Sequence, residues 1–270
     1  MDDIPNDLDA QKATDYLDLL RAYWDRQPCN SNHSGSEFAS RAYFDEVEAR
    51  RYFVHPHIAP FAEFANWQGR KVLEIGCGIG TDAIRFARHG SHYTGVELSP
   101  NTLAMAQKRM EIYGLGGEFH LHNAERLDEI LPESSYDLVY SIGVIHHTVR
   151  PKAIIHAARR LIKADGELRI MVYSKNSWKS AMIEAGLDQP ESQDDCPIAL
   201  TFDEDGVRDL LSGHFDIVDM HQDHIFPYQI EPYKEFRYEK EPWFEAMPSE
   251  MFRALEARFG WHWMIRAKPV

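Results

Sequence analysis

The sequence lacks the features that mark membrane and exported proteins. No stretch approaches the roughly 20 consecutive apolar residues that a membrane-spanning helix needs, and residues 1–5 contain neither a basic start nor an apolar run. We therefore expect a cytoplasmic protein that has no membrane partner.

Cysteine is scarce as well. The three cysteines, Cys29, Cys77 and Cys196, include no Cys-x-x-Cys pair. An odd set without that spacing argues against a disulfide framework and against a zinc site. We expect a reducing compartment and, because the chain also lacks other metal-ligand spacings, no bound metal.

Basic residues are outnumbered. The chain has 29 Lys and Arg against 43 Asp and Glu, which gives a formal net charge of −14. Because binding to phosphates draws on clustered cations, this balance argues against nucleic acid as a partner.

Apolar residues, in contrast, are sufficient for a core. The 270 residues are 44% hydrophobic and 12% aromatic, and they contain no internal repeat. This length suits one large domain, or one domain that carries an added cap. The oligomeric state stays open, because an aromatic surface could form a dimer interface as easily as a pocket wall.

The hydrophobic pattern divides the chain into parts. Apolar side chains of residues 7–66 fall at helical spacing, with a break at Pro56. Beyond them, short apolar runs alternate with amphipathic helices. Strands are predicted at 71–75, 93–97, 118–122, 136–141 and 168–173. Strands separated by helices imply a parallel sheet that is covered on both faces.

The last third is less regular. A helix is predicted from Asp203 to Leu211, and strands at 215–219 and 261–267. The two strands flank an insertion, at about residues 222–258, that is rich in aromatic side chains. A connection of that length inside a compact domain is more typical of a functional cover than of a simple loop.

The most informative motif follows the first predicted strand. It is the run Glu74-Ile75-Gly76-Cys77-Gly78-Ile79-Gly80, which leads into a helix. Closely spaced glycines let the backbone approach a ligand and present free N–H groups to it. Glu97 stands at the end of the second strand, where a carboxylate can accept hydrogen bonds from ribose hydroxyls. The spacing is G-x-G-x-G, whereas dinucleotide enzymes favour G-x-G-x-x-G.

These residues resemble the class I S-adenosylmethionine-dependent methyltransferases. The resemblance also includes Asn123-Ala124-Glu125 after the third strand and residues 141–147 after the fourth, and it covers about residues 70–175 and the closing strand pair. It implies an α/β fold with a Rossmann-like, seven-stranded, mostly parallel sheet and helices on both faces. Residues 1–66 would form an N-terminal helical lid, and residues 67–270 the methyltransferase domain with its cap insertion.

The resemblance also implies S-adenosylmethionine as the cofactor and assigns roles to individual residues. Glu74 and the turn of Gly76, Cys77, Gly78 and Gly80 would surround its methionine part and ribose, with Cys77 as small filler. The remaining cofactor contacts would come from Glu97 to the ribose hydroxyls, Leu98 and Ala124 to the adenine, Asn123 to the adenine amino group, and the Ser141 carbonyl to the ammonium.

Residues for the acceptor side are less constrained by the pattern. His146 and His147, after the fourth strand, are candidates for a general base or for packing, and Tyr173 ends the fifth strand. The remaining candidates for the acceptor-binding side are Tyr23, Trp24 and Asn30 in the N-terminal segment, and Tyr228, Arg237 and Tyr238 in the insertion.

Charged residues of the insertion and of the second predicted helix have separate interpretations. Arg237 would suit an acceptor that carries a carboxylate. Glu46 and Glu48 beside Arg50 and Arg51 are interpreted as an exposed helix face with local ion pairs.

Three functions remain open from the sequence. The first is methyl transfer to a small-molecule acceptor in a lidded pocket by in-line displacement. The second keeps the cofactor but transfers or cyclises its aminocarboxypropyl group and releases methylthioadenosine. The third is a module that binds S-adenosylmethionine without turnover. The nucleoside product distinguishes the first two.

Overall fold

A computed structural model describes residues 10–29, 31–187 and 196–270. The strands are β1 (Lys71–Ile75), β2 (His92–Glu97), β3 (Glu118–Leu121), β4 (Tyr136–Ile142), β5 (Ile162–Tyr173), β6 (Phe215–Asp223) and β7 (His262–Pro269). The helices are α1 (Ala10–Arg26), α2 (Arg41–Val54), α3 (Ile58–Ala62), α4 (Thr81–Arg88), α5 (Pro100–Tyr113), α6 (Pro151–Leu161), α7 (Trp178–Glu184), α8 (Glu204–Leu211), α9 (Ile230–Lys234), α10 (Pro242–Glu245) and α11 (Ser249–Phe259).

The seven strands form one sheet in the order β3-β2-β1-β4-β5-β7-β6. Neighbouring strands from β3 to β5 are parallel, and β7 is antiparallel to both β5 and β6. The predicted fold class, a mostly parallel seven-stranded sheet between helices, is therefore confirmed. The chain leaves β1 toward β2 on one side and returns to β4 on the other. Sheets of this kind bind ligands at that switch point, beyond the carboxyl ends of the strands.

Local sequence explains where the elements begin and end. Ser99 accepts a hydrogen bond from the backbone of Thr102 and caps α5, which has Pro100 in its first turn and ends at Gly114 in the left-handed conformation. The core strands carry apolar residues on both faces; Val72 and Leu73 of β1 are both fully buried.

Two strands extend beyond the segments that the sequence predicts. β5 begins at Ile162, directly after α6, because Ile162 pairs with Tyr136 before a register shift in β4. β6 continues to Asp223, because it pairs with β7 along most of its length. Hydrogen bonds between strands, rather than apolar alternation, hold these extensions in the sheet.

The N-terminal helices dock on the sheet domain through polar contacts. An Asp25 carboxylate oxygen accepts hydrogen bonds from the Ser99 hydroxyl at 2.7 Å and from the backbone of Asn101 at 3.0 Å. Glu48 in α2 accepts from Arg85 at 2.8 Å and from Arg88 at 2.9 Å and is only 8% exposed. The expectation of an exposed face at Glu48 is thus wrong, since the helix turns this side toward α4.

None of the helices among the described residues combines the length and apolar character required to span a bilayer.

Candidate functional site

A cavity of about 710 Å³ opens at the carboxyl ends of the parallel strands. Its wall has two halves. The sheet-edge half follows β1 to β4 and includes Gly76, Gly78, Glu97, Leu98, Asn123 and Ala124. The cap half comes from the N-terminal helices and the segment after β6, and includes Trp24, Arg50, His55, His224, Tyr228 and Phe244.

The glycine turn after β1 has a backbone that side chains would not tolerate. Gly76 has φ of +72°, and a Cβ there would lie 2.3 Å from Cγ2 of Val144. Gly78 has φ of +53°, and a Cβ built on it meets no atom within 4 Å. Gly76 therefore lets the turn pack against the loop after β4, whereas Gly78 lies beside the open space of the cavity.

Glu97 is held rigidly by three backbone amides. One carboxylate oxygen accepts from the N–H of Leu98 at 2.8 Å and of Ser99 at 3.0 Å, and the other from the N–H of Gly78 at 3.0 Å. The residue is 8% exposed, and this burial raises the pKa of its carboxyl above the ordinary value. The result is an oriented carboxylate at the cavity wall, ready to accept from hydroxyl groups.

The wall beside the glycine turn also carries buried charge. Glu74 accepts a hydrogen bond from the Tyr93 hydroxyl at 2.6 Å, and burial, together with nearby Asp82, raises the pKa of Glu74. Asp82 forms an ion pair with Arg51 at 3.0 Å and accepts from the Tyr52 hydroxyl at 2.7 Å. All three charged side chains line the cavity, so this corner offers both signs of charge to a ligand.

Two further predicted cofactor residues differ in accessibility. Asn123 lines the cavity, and its side-chain oxygen accepts from the backbone of Glu125 at 3.0 Å, which fixes the turn after β3. Ser141 is fully buried between β4 and β1, where its hydroxyl donates to the carbonyl of Ile75 at 3.1 Å. Ile142, Gly143 and Val144 line the cavity where β4 ends.

The two histidines after β4 have different surroundings. His147 lines the cavity, its Nδ1 donates to the Ile198 carbonyl at 2.6 Å, and its ring meets that of Trp24 at 5.2 Å. His146 is fully buried, with its ring centroid 3.6 Å from that of Tyr173. Burial lowers the pKa of His147 to about 4 and that of His146 well below the ordinary value, so both rings are neutral at pH 7.

The cap half is mostly aromatic. Tyr173 stacks on Trp261 with ring centroids 4.5 Å apart, and Tyr228 stacks on Phe53 at 6.1 Å. Arg50 is one of its charged members, with a guanidinium that lies over the ring of Tyr233 at 4.1 Å; the residue is only 5% exposed. Its Nη2 donates to the Tyr233 carbonyl at 2.5 Å, while Nε and Nη1 have no hydrogen-bond partner among the described residues.

Comparison with known proteins agrees with this geometry. Residues 72–166 match a family model described as a methyltransferase domain. The chain is 32% identical over 114 residues to a ubiquinone biosynthesis O-methyltransferase of Pseudomonas syringae pv. tomato, and 31% identical over 119 residues to one of Salmonella paratyphi A. These matches cover 42% and 43% of this chain and 49% of each relative, so the chain spans about half the length of the curated relatives it matches.

Residues 72–166 thus match a methyltransferase domain, and the sheet has the fold of the class I S-adenosylmethionine-dependent methyltransferases. The resemblance inferred from the glycine turn, Glu97 and the segments after β3 and β4 is thereby confirmed.

Solved structures of methyltransferases have a similar overall fold. A magnesium protoporphyrin IX methyltransferase from Synechocystis PCC 6803 aligns with a TM-score of 0.59 at 18% identity, over 94% of this chain and 100% of that one. A geranyl diphosphate C-methyltransferase from Streptomyces coelicolor A3(2) aligns with a TM-score of 0.61 at 15% identity, over 96% and 99%. At these identities the likeness concerns the fold alone.

Most of the predicted site residues, including one in α1, line one cavity. Those that do are Glu74, Gly76, Cys77, Gly78, Glu97, Leu98, Asn123, Ala124, His147, Tyr173, Trp24 and Tyr228. Burial raises the pKa of the Cys77 thiol well above its ordinary value, which suits the predicted role as filler in the turn rather than a nucleophile. Asn30 lies outside the described residues.

Other predicted residues lie away from the cavity wall. Gly80 packs against the backbone of Ala106 and begins α4, and Ser141 is buried in the sheet. Tyr23 is 2% exposed and packs edge-on against Trp24. His146 lies behind Tyr173. The burial of Tyr23 corrects its predicted contact with the acceptor, and the burial of His146 favours packing over a role as general base. The roles predicted for Gly80 and Ser141 concern their backbone groups and stay predictions.

Arg237 and Tyr238 require the clearest correction. Arg237 is exposed and pairs with Glu235 at 3.0 Å and with Glu239. Tyr238 packs behind Tyr228, with ring centroids 5.5 Å apart, and is 37% exposed. Two flanking glutamates capture the Arg237 guanidinium on the surface, so it does not reach the cavity.

Sequence reasoning also missed two arginines. Arg50 and Arg51 line the cavity, although they were interpreted as part of an exposed face. The signal was present in the spacing of α2, where Val47 and Val54 are buried. Residues 50 and 51 lie three and four positions from both, and therefore continue the buried side of the helix.

Proposed function

We propose that this chain transfers the methyl group of S-adenosylmethionine to a small-molecule acceptor. The observation that carries the proposal is the single cavity, in which the glycine turn and Glu97 share one enclosed space with an aromatic wall from the cap. A small acceptor is also supported by the relatives. They include ubiquinone biosynthesis O-methyltransferases and, among solved structures, methyltransferases of magnesium protoporphyrin IX and geranyl diphosphate.

In this proposal the cofactor occupies the sheet-edge half. Glu97 accepts the ribose hydroxyls, and Leu98 and Ala124 flank the adenine. The methionine end lies along the glycine turn, where Glu74 faces its ammonium and Arg51 its carboxylate. The buried ion pair between Arg51 and Asp82 supports this arrangement, because it orients the guanidinium at the cavity wall.

The reaction asks for positioning more than for acid–base chemistry. S-adenosylmethionine supplies the sulfonium leaving group, so the chain has to align the acceptor on the axis of displacement and exclude water. We propose that α1, through Trp24, covers the site as a lid. His147 then acts as a positioning residue, because its Nδ1–H holds the Ile198 carbonyl and its ring supports Trp24.

A role for His146 or His147 as general base is not favoured by their surroundings. A pKa of about 4 makes His147 a weak base, and His146 is enclosed by Tyr173 and His147. Tyr173 remains the candidate from the sequence that faces the acceptor end, beside Trp261.

We further propose that the acceptor carries an anionic group. Arg50 lines the cavity and has no carboxylate partner among the described residues, and a buried cation of this kind needs a counter-charge. A carboxylate or phosphate on the acceptor would supply it. Arg50 thus takes the role that the sequence assigned to Arg237.

The decisive experiment identifies the nucleoside product. The chain is incubated with S-adenosylmethionine, with and without a small-metabolite extract, and the products are identified by mass spectrometry. S-adenosylhomocysteine that appears only with extract is the expected result, and the methylated product reveals the acceptor. Methylthioadenosine above the no-enzyme control would instead support the aminocarboxypropyl transferase or cyclase.

A variant pair makes this experiment specific to the site. Glu97→Gln should lower product formation, whereas Glu111→Gln, on the exposed side of α5, should not. Tight binding of S-adenosylmethionine without any product over the whole extract would contradict catalysis and favour a binding module.

A further inference from the structure

Four histidines meet at the acceptor end of the cavity. This histidine cluster consists of His55, His57, His224 and His262, and three of its members, His55, His224 and His262, line the cavity wall. Three segments that are far apart in sequence supply them, one with His55 and His57, one with His224 and one with His262. No local spacing therefore connects the three histidines that line the cavity.

The fold fixes each of these residues at the end of an element. His55 follows the last turn of α2 and its N–H donates to the carbonyl of Arg51 at 2.8 Å, while His57 precedes α3. His262 begins β7, opposite Asp223 of β6. His224 follows β6 with φ of +72°, and its carbonyl accepts from the N–H of Trp261 at 2.7 Å. Left-handed backbone at a residue other than glycine is a form of strain that recurs at functional sites.

The ring nitrogens converge on one point. One nitrogen each from His55, His224 and His262 lies within 4.8 Å of the other two. In a tetrahedral zinc site with bonds of about 2.0–2.1 Å, ligand nitrogens are about 3.4 Å apart, so each nitrogen has to move by about 1 Å to complete the site. His224 and His262 are only 5% and 4% exposed, so their neighbours limit the rings to small movements of this kind.

The fourth histidine supports the third. Nε2 of His57 lies 2.9 Å from Nδ1 of His262, a hydrogen bond that occupies this nitrogen and leaves Nε2 of His262 for a ligand. Histidines that bind metals commonly use one ring nitrogen for the metal and the other for such an orienting hydrogen bond. His57 therefore stands as a positioning residue.

The cluster also contains a ring nitrogen that is available to a ligand. Nδ1 of His55 is buried without a hydrogen-bond partner among the described residues. Arg51, whose charge acts on His55, is itself paired with Asp82.

We propose that His55, His224 and His262 bind one divalent transition-metal ion of the zinc type, and that His57 orients His262 for this ion. Three imidazoles leave at least one coordination position open, and the adjoining cavity gives a ligand access to it. The sequence-based expectation of no metal considered cysteine pairs and local spacing, and neither applies to ligands that only the tertiary structure assembles.

The open position suggests a role that rests on the proposed function. An acceptor hydroxyl or thiol coordinated there loses its proton to solvent more readily, because the ion stabilises the anion. The lone pair of that oxygen or sulfur then forms the bond to the methyl carbon, and the carbon–sulfur bond of the sulfonium breaks with its electron pair on sulfur. The cofactor is released as the neutral thioether.

The site is tested on the full chain without cofactor or acceptor. After chelator treatment and dialysis, the protein is titrated with Zn²⁺ by calorimetry and with Co²⁺ by visible absorption. We expect one ion per chain and the intense bands of four-coordinate Co²⁺. His55→Ala and His224→Ala should lower the affinity at least 100-fold, and His57→Ala about 10- to 100-fold.

A surface histidine pair provides the matched control. His156 and His214 lie with ring centroids 5.3 Å apart, so this pair could bind metal weakly, and His156→Ala removes it. The variant should keep the one-to-one binding. Circular dichroism verifies that each variant is folded, and His55→Gln replaces His55→Ala if the latter is not. Absence of stoichiometric binding in the wild type, or binding that His156→Ala abolishes and His55→Ala does not, overturns the proposal.

Activity separates the site from its role. If the proposed function holds, removal of the metal should abolish methyl transfer while S-adenosylhomocysteine still binds, and added Zn²⁺ should restore it. Unchanged turnover in the metal-free chain would overturn the role in the reaction but leave the bound ion. Metal binding without any S-adenosylhomocysteine binding would overturn the proposed function alone.

Discussion

The two halves of the cavity are built by different means. In the sheet-edge half, backbone groups do most of the work, since three amides hold Glu97 and a glycine turn approaches the cavity without side chains. In the cap half, the wall consists of side chains from α1, α2 and the segment after β6.

The two ways of building a wall suit two kinds of ligand: one that is the same in many enzymes, and one that differs from enzyme to enzyme. Backbone donors and a short strand-to-helix turn give a binding surface that depends on a few local residues. A wall of aromatic and charged side chains changes its shape with each substitution. The first half therefore suits a common cofactor, and the second a particular acceptor.

The largest loss of cofactor affinity should come from a substitution in the glycine turn of the sheet-edge half. Gly76→Ala places a Cβ 2.3 Å from Cγ2 of Val144 and forces a side chain onto φ of +72°. The strain in φ alone is about 1–3 kcal/mol. We expect binding of S-adenosylhomocysteine, measured by calorimetry, to weaken more than 100-fold. Gly35→Ala, where a Cβ meets no atom within 4 Å, should bind as the wild type, and similar binding by both variants would contradict the argument.

The second largest loss of cofactor affinity should come from the Glu97 carboxylate of the sheet-edge half. Glu97→Gln keeps the shape but loses the charge, and a hydrogen bond to a charged group contributes about 1.5–3 kcal/mol. The affinity for S-adenosylhomocysteine should fall about 10- to 100-fold. The exposed Glu111→Gln is the control, and an unchanged affinity of the Glu97 variant would remove this residue from the ribose contact.

The cap half is tested by two arginines. Arg50→Met removes a buried guanidinium from the cavity wall, and we expect KM for the anionic acceptor to rise about 10-fold with little change in cofactor affinity. Arg237→Met, in an exposed group with Glu235 and Glu239, should change neither value more than about twofold. An effect of Arg237→Met as large as that of Arg50→Met would reverse the assignment.

The smallest effect is a dependence on pH. Burial raises the pKa of Glu97 in the folded chain, so the ionised carboxylate costs stability above its ordinary pKa. Glu74 and Glu256 also have raised pKa values and burial lowers the pKa of several histidines, so the effect of Glu97 is measured against Glu97→Gln at each pH. As the pH falls from 8 toward 5, the stability that Glu97→Gln gains over the unliganded wild type in thermal melts should shrink, and the cofactor affinity of the wild type should fall a few-fold more than that of the variant. A stability difference that does not change with pH would contradict the raised pKa of Glu97.

The same two halves differ in how far sequence reasoning reached. The glycine turn, Glu97, Asn123 and Ala124 were assigned correctly to one cavity edge, because each follows a strand and parallel strands end at the same edge of a sheet. The backbone contact predicted for Ser141 stays a prediction; the cavity wall begins at the next residue, Ile142.

Cap residues could not be assigned with the same reliability. Arg237 and Arg50 are both arginines near aromatic residues in the sequence. The signals that distinguish them are local and easily overlooked: two flanking glutamates hold Arg237 at the surface, and helical periodicity turns Arg50 inward. The histidine cluster was invisible because its members are separated by up to 207 positions, from His55 to His262.

The sequence by itself determined the sheet, the turns after its strands that line the cavity, and the class of domain. Alternating apolar runs and glycine spacing are local patterns, because they depend on residues that are neighbours along the chain. Tertiary structure alone decided which side chains of the N-terminal helices and of the segment after β6 meet in the cap half of the cavity. Those contacts join segments distant along the chain, and their geometry depends on how helices and the β6–β7 pair pack together, which no local pattern encodes.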